Sequence, residues 1–443
     1  RAVSRYLALQ EFEPVAGIIQ HTATTLFDAG RWDTLAGWLD ALPAEVQAAE
    51  PDLLVQRARI HAERGEHGPA LDFFDRAAAA FTLAGDSAST AHVLSRKATI
   101  LRYQGRYHES MACCQEALAL AGGDTSAERM AAALALDNTG LCALRLGRLD
   151  EGRRALHQAL ALFEGLGATY HLALAHHNLG LSHELAGDLA GDLDHYRAAL
   201  VRWQELGSLS PWANTLNSLG VVHYLQGEYD QARVVLNEAL LKAQRAGDPR
   251  IQAYALASLG DLHRDLGAYE LARGAFTQAL ETARRAHFGF IIPYALDGLG
   301  NTARLRGNWP EAARRLQQAL EYAEQHGSTH AAGGCHISLG ILANDRGNLE
   351  AARAHLDQAV EMLADSGLQQ PLARAHLHRA HTAFLAGEPA AARPGLERAL
   401  ALAGELGFDQ FLVVDGQHLE SLLRYAAAQG IGQDVLPFTQ PDL

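Results

Sequence analysis

Apolar and small residues recur along this chain with a period of forty residues. Leu-Gly pairs stand at positions 179–180, 219–220, 259–260, 299–300 and 339–340, and Thr139-Gly140 has the same phase one period earlier. Another glycine follows seven residues later, at 147, 187, 227, 267, 307, 347 and 387. Ala-Leu or Ala-Val pairs begin at 159, 199, 239, 279, 319, 359 and 399. Three marks in a fixed phase predict an array of one supersecondary unit.

Each unit is predicted to contain two helices. In one unit these are residues 172–186 and 189–206, separated by Gly187, which suits the left-handed conformation that ends a helix. Glycines also close the second helices, at positions 207, 247, 327, 367 and 407, and His287 takes that place in one unit. Helices of about 15 residues are about 22 Å long.

The glycine of each Leu-Gly pair lies inside a first helix, where it costs about 1 kcal/mol relative to alanine. Its repetition indicates a packing reason, namely that a neighbouring helix approaches the backbone there. We expect the partners in this approach to be alanines of the second helix: Ala199, Ala239 and Ala279.

These marks together resemble the tetratricopeptide repeat (TPR). The order L-G-x-x-[HY], then G-x-[YWL]-x-x-A, then A-L is followed closely at residues 227–232 and 307–312. The resemblance covers roughly residues 52–407, with forty residues per unit instead of about 34. It implies an all-α, right-handed α-solenoid, a superhelix of about nine to ten TPR-like helical hairpins.

The N-terminal run GRWDTLAGWLDALP, followed by PDLL, gives a narrower resemblance. It resembles the sensor domain of MalT-like regulators, which are LuxR-type and related STAND transcription factors of bacteria. The resemblance implies that NTPase and DNA-binding modules lie elsewhere in a longer protein. The chain begins with Arg1 and not Met, which favours a fragment or a processed form. We predict an N-terminal helical cap at 1–51, the repeat array at 52–407, and a capping helix and tail at 408–443.

Composition narrows the function classes. The formal net charge is −14, and Lys97 and Lys242 are the only lysines. Direct nucleic-acid binding is therefore not expected, because it relies on clustered basic residues, and a Walker A lysine is absent. No apolar run reaches the 18 residues of a membrane helix and no signal peptide is visible, so we expect no membrane partner and a cytoplasmic location. Four cysteines without a C-x-x-C spacing favour reduced core thiols.

The candidate binding residues come from the resemblance. In TPR proteins one face of the first helices lines the concave groove, and carrying that phase onto this chain selects polar and aromatic residues. From this phase, which also contains Asp265, Asp345, Arg374, His378 and His381, we select Asn214, Asn217, Tyr224, Tyr254, Asp261, Arg264, Tyr294, Asp297, Asn301, Arg304 and Asn344. Asn can pair with a peptide backbone, Arg with a carboxylate, and Tyr offers a rigid apolar surface with a polar tip. The alternative is that these are solvated helix faces.

Metal and catalytic chemistry are not expected. His183, His223 and His263 repeat at forty residues, but packed helices lie about 10 Å apart whereas zinc ligands lie about 2.1 Å from the metal. We interpret them as packed histidines, and we interpret Cys113 and Cys114 as packed thiols. No catalytic triad, nucleophile elbow or phosphate loop is visible. We therefore predict no cofactor, no metal and no enzymatic activity.

Two functions remain open. The first is the sensor domain of a MalT-like, LuxR/STAND-type regulator, in which a small-molecule effector, a peptide or a protein binds the groove. The alternative is a free-standing TPR adaptor that binds a peptide or partner protein. Under either hypothesis, replacing Arg264 and Arg304 together by alanine is expected to abolish binding and leave helicity intact.

Overall fold

The computed structural model describes residues 2–28, 31–146, 148–186, 189–286, 288–364, 369–406 and 410–432. Several positions of the sequence pattern lie outside this part of the chain. They are Gly30, Gly147, Gly187, His287, Gly367 and Gly407, together with residues 433–443 of the predicted tail.

Helices make up the fold, and no strand occurs in the described ranges. The first ten are α1 (Ala2–Ala8), α2 (Phe12–Asp28), α3 (Trp32–Asp40), α4 (Ala44–Ala49), α5 (Pro51–Glu63), α6 (His67–Leu83), α7 (Ser87–Tyr103), α8 (Tyr107–Leu120), α9 (Ser126–Arg145) and α10 (Leu149–Leu166). They are followed by α11 (Thr169–Ala186), α12 (Leu189–Leu206), α13 (Leu209–Leu225), α14 (Tyr229–Ala246), α15 (Pro249–Asp265) and α16 (Tyr269–Arg285). A 3-10 turn (Gly289–Ile291) precedes α17 (Ile292–Leu305), α18 (Trp309–Gln325), α19 (Thr329–Asp345), α20 (Leu349–Ala364), α21 (Gln369–Leu385), α22 (Pro389–Leu406) and α23 (Gln410–Ala428).

The chain divides into two compact units. One contains Arg1–Ala143 with Glu151–Ala168, and the other contains Leu144–Asp150 with Thr169–Leu443. In the second unit each first helix packs on its own second helix and on the next first helix, as α13 does on α14 and α15. Over the described residues, nine hairpins run from α5–α6 to α21–α22. The protein is an all-α solenoid, as the sequence period predicts.

Glycines terminate the helices in the predicted way. Gly227, Gly267, Gly307, Gly347 and Gly387 follow first helices with φ between 71° and 77°. Gly167, Gly207, Gly247 and Gly327 follow second helices with φ between 62° and 67°. An L residue rarely adopts this left-handed conformation, so glycine is favoured at these nine reversals.

The glycines inside the first helices permit close packing, but their partners differ from the expected ones. A Cβ atom on Gly220 would lie 2.6 Å from Leu236, and one on Gly260 would lie 2.7 Å from Phe276. The same relation links positions 140, 180, 300 and 340 to the residue sixteen places later. The prediction that Ala199, Ala239 and Ala279 are the partners is therefore wrong. These alanines are buried, but a large apolar side chain fills the space that the glycine leaves.

The two ends of the chain are helical too. The helices α1 to α4 share a core with the start of α5, built on Val15, Ile19, Leu35, Leu39 and Leu53. At the other end α23 packs on α21, and Leu412, Leu419 and Leu422 of α23 are fully buried. The division into a cap, an array and a capping helix stays a prediction. None of the helices that the structure describes is long and apolar enough to cross a membrane.

Candidate binding face

All eleven predicted site residues lie on first helices of the second unit. Asn214, Asn217 and Tyr224 belong to α13, Tyr254, Asp261 and Arg264 to α15, Tyr294, Asp297, Asn301 and Arg304 to α17, and Asn344 to α19. We call the surface formed by these eleven residues the first-helix face. Side-chain hydrogen bonds link several of its members to residues of the neighbouring first helix, because consecutive first helices pack directly on each other.

A charged network joins α13, α15 and α17. The guanidinium of Arg264 binds Asp261 (Nη1–Oδ1, 2.7 Å) and Asp265 (Nε–Oδ1, 2.9 Å). The hydroxyl of Tyr224 donates to Asp265, and the hydroxyl of Tyr294 donates to Asp261. The network thus places two carboxylates, one guanidinium and two phenols in contact across three hairpins.

Burial shapes the electrostatics of this network. Desolvation raises the pKa of Asp261, although Arg264 opposes the shift. Although burial lowers the pKa of Arg264, the two carboxylates raise it well above its ordinary value. Desolvation and Asp261 raise the pKa of Tyr294 well above its usual range, yet this residue is 51% exposed. The hydroxyl is engaged by Asp261, so the accessible part of Tyr294 is available as an aromatic surface.

A second network joins α17, α19 and α21. The amide nitrogen of Asn301 donates to Asp297 Oδ2 at 2.8 Å and to Ser338 Oγ at 3.0 Å. Arg304, nine-tenths buried, donates to Asp345 Oδ2 at 2.7 Å. Further along, the hydroxyl of Thr382 donates to the amide oxygen of Asn344 at 3.1 Å. Arg304 therefore connects two hairpins, whereas Arg264 binds two carboxylates of its own helix. Removing either arginine would leave carboxylates without their partners.

Three atoms of the first-helix face have no hydrogen-bond partner although they are buried. They are Asn217 Oδ1, Asp297 Oδ1 and Asn344 Nδ2. Rotating the amide of Asn344 by 180° does not remove the problem. The single hydrogen of Thr382 also reaches the carbonyl of His378 at 3.0 Å, so the rotated amide would donate to Thr382 and leave its own oxygen unpaired. Unpaired buried polar groups cost about 1–3 kcal/mol each, so their grouping on one face favours a ligand that satisfies them.

The remaining two predicted residues have packed surroundings. The amide of Asn214 contacts His177 Nε2 at 3.3 Å. Tyr254 meets Phe288 edge to face with ring centroids 5.5 Å apart, and it lies 6.4 Å from Phe290. Both phenylalanines come from the segment around the 3-10 turn before α17. Phe290 is 58% exposed, so this aromatic group presents a surface to solvent beside the first-helix face.

Three aspartates of these networks were left out of the eleven predicted site residues, although Asp265 and Asp345 have the phase of the first-helix face. Asp265, Asp345 and Asp415 each pair with a side chain 41 residues earlier: Tyr224, Arg304 and Arg374. One period plus one residue is the offset at which adjacent first helices meet. A search for polar pairs at that spacing would have found all three aspartates.

The histidines and cysteines show ordinary packing. His223 is buried and contacts Glu228 Oε2 at 2.6 Å, and the rings of His183 and His195 stack with centroids 5.4 Å apart. Cys114, Cys142 and Cys335 are buried free thiols, and burial raises the pKa of Cys114 to about 12. Among the described residues no group of three or more His, Cys, Asp or Glu is arranged to hold a metal ion.

A separate cavity of about 140 Å³ lies between α16, α17 and α18. Its lining includes Arg273, Arg306 and Arg315 but none of the eleven predicted site residues. These arginines already bind Glu270 or Glu311 at 2.7–2.8 Å. The cavity therefore gives no independent support to the prediction that the first-helix face binds a ligand.

The architecture defines the class of protein: an α-solenoid of repeated helical hairpins, a scaffold for protein binding. Three family models, each described as a tetratricopeptide repeat, match residues 213–285 and 292–365, residues 90–121, and residues 138–206. Together these models match more than half of the chain. The chain belongs to the tetratricopeptide repeat proteins. No curated protein sequence matches it significantly.

Solved structures share this fold at low sequence identity. A Rap protein in complex with competence and sporulation factor aligns with a TM-score of 0.63 at 12% identity, covering 81% of this chain and 98% of that chain. The apo form of the quorum sensor NprR from B. thuringiensis aligns with a TM-score of 0.55 at 14% identity, covering 78% and 98%. A STAND protein with a tetratricopeptide repeat sensor from Pyrococcus horikoshii covers 83% of this chain and 55% of that chain at 12% identity. Its TM-score of 0.46 is too low to establish a shared architecture.

Proposed function

We propose that this chain is a sensing array whose first-helix face binds a peptide or an extended protein segment and thereby controls other modules. The observation that carries the proposal is the set of unpaired buried atoms on Asn217, Asp297 and Asn344. A peptide backbone carries both donors and acceptors, so an extended segment can satisfy an amide and a carboxylate on successive hairpins.

The names of two structural relatives support a role in sensing a signal. One was solved with competence and sporulation factor, and another is a quorum sensor. The N-terminal resemblance to MalT-like sensors supports the finer proposal that the chain is the sensory part of a bacterial LuxR/STAND-type transcriptional regulator. In that setting the ligand shifts an equilibrium between a restrained and a released state of the NTPase and output modules.

The array is proposed to act by recognition and without catalysis. Most titratable side chains of the first-helix face are engaged with other side chains of the array, as in the network around Arg264. Groups fixed in this way position helices and are poorly placed to transfer protons to a substrate.

The experiment is a selection from a phage-displayed library of random seven-residue peptides on the purified chain, followed by hydrogen–deuterium exchange with a selected peptide. We expect slower exchange in the first helices α13, α15, α17 and α19, with little change in the second helices. Failure to select any peptide above a blank surface would contradict the proposal, as would protection confined to the second helices.

The free-standing adaptor remains the alternative, because it predicts the same binding face. The two differ in the protein that the gene encodes. If the complete product contains an NTPase module and peptide changes its rate of nucleotide hydrolysis, the chain is a regulator's sensor. A complete product without such a module would favour the adaptor.

A further inference from the structure

Asp297 differs from the other acidic residues around the first-helix face. Asp261, Asp265 and Asp345 form ion pairs with arginines at 2.7–2.9 Å. Asp297 has no ion pair within 4.0 Å in the part of the chain that the structure describes, and its Oδ1 is buried without a donor. Its other oxygen accepts a hydrogen bond from the neutral amide of Asn301, and hydrogen bonding to the neutral hydroxyl of Ser338 also opposes the rise in the pKa of this carboxyl.

The nearby cationic side chains already form ion pairs with other carboxylates. Arg264 and Arg374 both act on Asp297 through their charge. However, Arg264 binds Asp261 and Asp265, and Arg374 holds Asp415 in a bidentate pair. Four carboxylates therefore surround two guanidiniums, and a ligand with a positive charge would correct this imbalance. Desolvation raises the pKa of Asp297, which is the response of a carboxylate that lacks a counter-ion.

Exposed aromatic rings occur on the same helix as Asp297 and in the turn that precedes it. Tyr294 precedes Asp297 by three residues on α17, so the two side chains lie on the same side of the helix. Tyr294 is 51% exposed, and Phe290, in the turn that leads into α17, is 58% exposed. The face of an aromatic ring attracts cations, and guanidinium groups stack on it most readily.

Packing holds Asp297 in place. The next residue, Gly298, lies against the fully buried ring of Phe276, where any Cβ would overlap it. Phe276 also fills the space beside Gly260 of α15. The backbone that carries Asp297 is therefore fixed between two neighbouring helices, which lowers the cost of ordering the site when a ligand binds.

We propose that Asp297, together with the exposed rings of Tyr294 and Phe290, forms a subsite for an arginine side chain of the bound peptide. This inference rests on the proposed function. The guanidinium donates to the unpaired Oδ1 while its planar group lies against an aromatic ring. The ligand is thus a peptide with at least one arginine, and the subsite selects against peptides that lack a positive charge.

The first test repeats the peptide selection on three proteins: the wild-type chain, Asp297→Asn and Glu361→Gln. Glu361 is exposed on the second helix α20, so its substitution makes the same change in net charge away from the first-helix face. We expect arginine to be enriched at one peptide position with the wild type and with Glu361→Gln, and the enrichment to disappear with Asp297→Asn.

The second test measures affinity with a matched pair of ligands. The strongest selected peptide is synthesised with arginine and with citrulline, its neutral isostere. We expect the arginine peptide to bind the wild type about tenfold more tightly, the change produced by about 1.4 kcal/mol. With Asp297→Asn the two peptides should bind within about twofold of each other.

The results of these two tests distinguish a failure of the arginine subsite from a failure of the proposed peptide binding. Selected peptides without arginine enrichment would overturn the subsite and leave peptide binding in place, whereas no selected peptide would overturn both. Enrichment that persists with Asp297→Asn would also overturn the subsite. We expect this variant to keep its Tm within about 3 °C, because Oδ1 has no partner to lose. If it does not fold, Tyr294→Leu replaces it and is expected to weaken binding of the arginine peptide about threefold more than that of the citrulline peptide.

Discussion

Arg374 and Asp415 form a bidentate ion pair across 41 residues, with Nε–Oδ2 at 2.6 Å and Nη2–Oδ1 at 3.0 Å. The pair joins α21 to α23, and His378 contacts the same carboxylate at 3.0 Å. Although burial raises the pKa of Asp415, Arg374 and His378 hold it well below its ordinary value. The last helix is thus attached to the array by a charge pair as well as by its leucines.

The two sides of this pair should respond unequally to mutation. The Asp415 side chain is 8% exposed and the Arg374 side chain is 33% exposed. Arg374→Ala leaves a buried carboxylate without its main partner, at a cost of about 3 kcal/mol. Asp415→Ala leaves a guanidinium that water can reach, and should cost less. Urea unfolding of the two variants measures the difference. An equal loss of free energy of unfolding in both variants, or a larger loss in Asp415→Ala, would contradict the assigned burial.

The glycines of the first helices give a second prediction. Gly260→Ala should destabilise the protein by about 1–3 kcal/mol, because the new methyl group overlaps the ring of Phe276 and outweighs the gain in helix propensity. Gly274→Ala is the matched control: it lies inside α16 with nothing within 4 Å of a new Cβ, and should stabilise by about 0.5–1 kcal/mol.

A double-mutant cycle tests the cause. With Phe276→Ala as the background, the methyl group of Gly260→Ala enters a cavity and should cost much less than in the wild type. Additive effects of the two substitutions would show that the clash lies elsewhere.

Stability should fall on acidification below pH 6.5. Desolvation lowers the pKa of His177, His336 and His381 to about 4, and all three are buried. Between about pH 4 and 6.5 the unfolded chain binds protons at these sites and the folded chain does not. Stability therefore rises with pH in this window, by at most about 1.4 kcal/mol per pH unit for each histidine.

Urea unfolding at pH 5 and pH 7 measures this dependence. His177→Gln should reduce the difference between the two pH values, because it removes one of the titrating groups. His108→Asn changes an exposed histidine on α8 and serves as the control. An equal reduction in both variants would argue that buried histidines are not the cause.

The ion pairs change what is expected of the two arginines of the predicted site. Arg304→Ala leaves Asp345 unpaired, and Arg264→Ala leaves Asp261 and Asp265 close together without a cation. Each substitution should lower the free energy of unfolding, for Arg304→Ala by less than about 3 kcal/mol, because the Asp345 side chain that it leaves unpaired is 33% exposed and water can reach it. Circular dichroism with urea unfolding of each variant checks this. Unchanged stability would mean that these arginines are free for a ligand, as the sequence alone suggested.

The helical hairpins could be predicted closely, because their determinants are local. The structure has α12 at Leu189–Leu206, the range that the pattern predicts, and it places Gly227, Gly267 and Gly307 in the left-handed conformation. The partners of the buried glycines could not be read in the same way. Both an alanine and a larger residue recur at forty residues, and only the contact between helices distinguishes Phe276 from Ala279.

The sequence by itself determined the repeat, the helices and the positions of the first-helix face, because each depends on spacing along a single hairpin. Only the tertiary structure decided which polar groups of that face satisfy one another. Arg264 proved to be paired with two carboxylates of its own helix and Arg304 with Asp345 of the next hairpin, whereas Asn217, Asp297 and Asn344 each kept an unpaired atom. The reason is physical: a hydrogen bond forms only when donor and acceptor are placed to within about a few tenths of an ångström of the ideal distance. The sequence does not give such distances between side chains that are about forty residues apart.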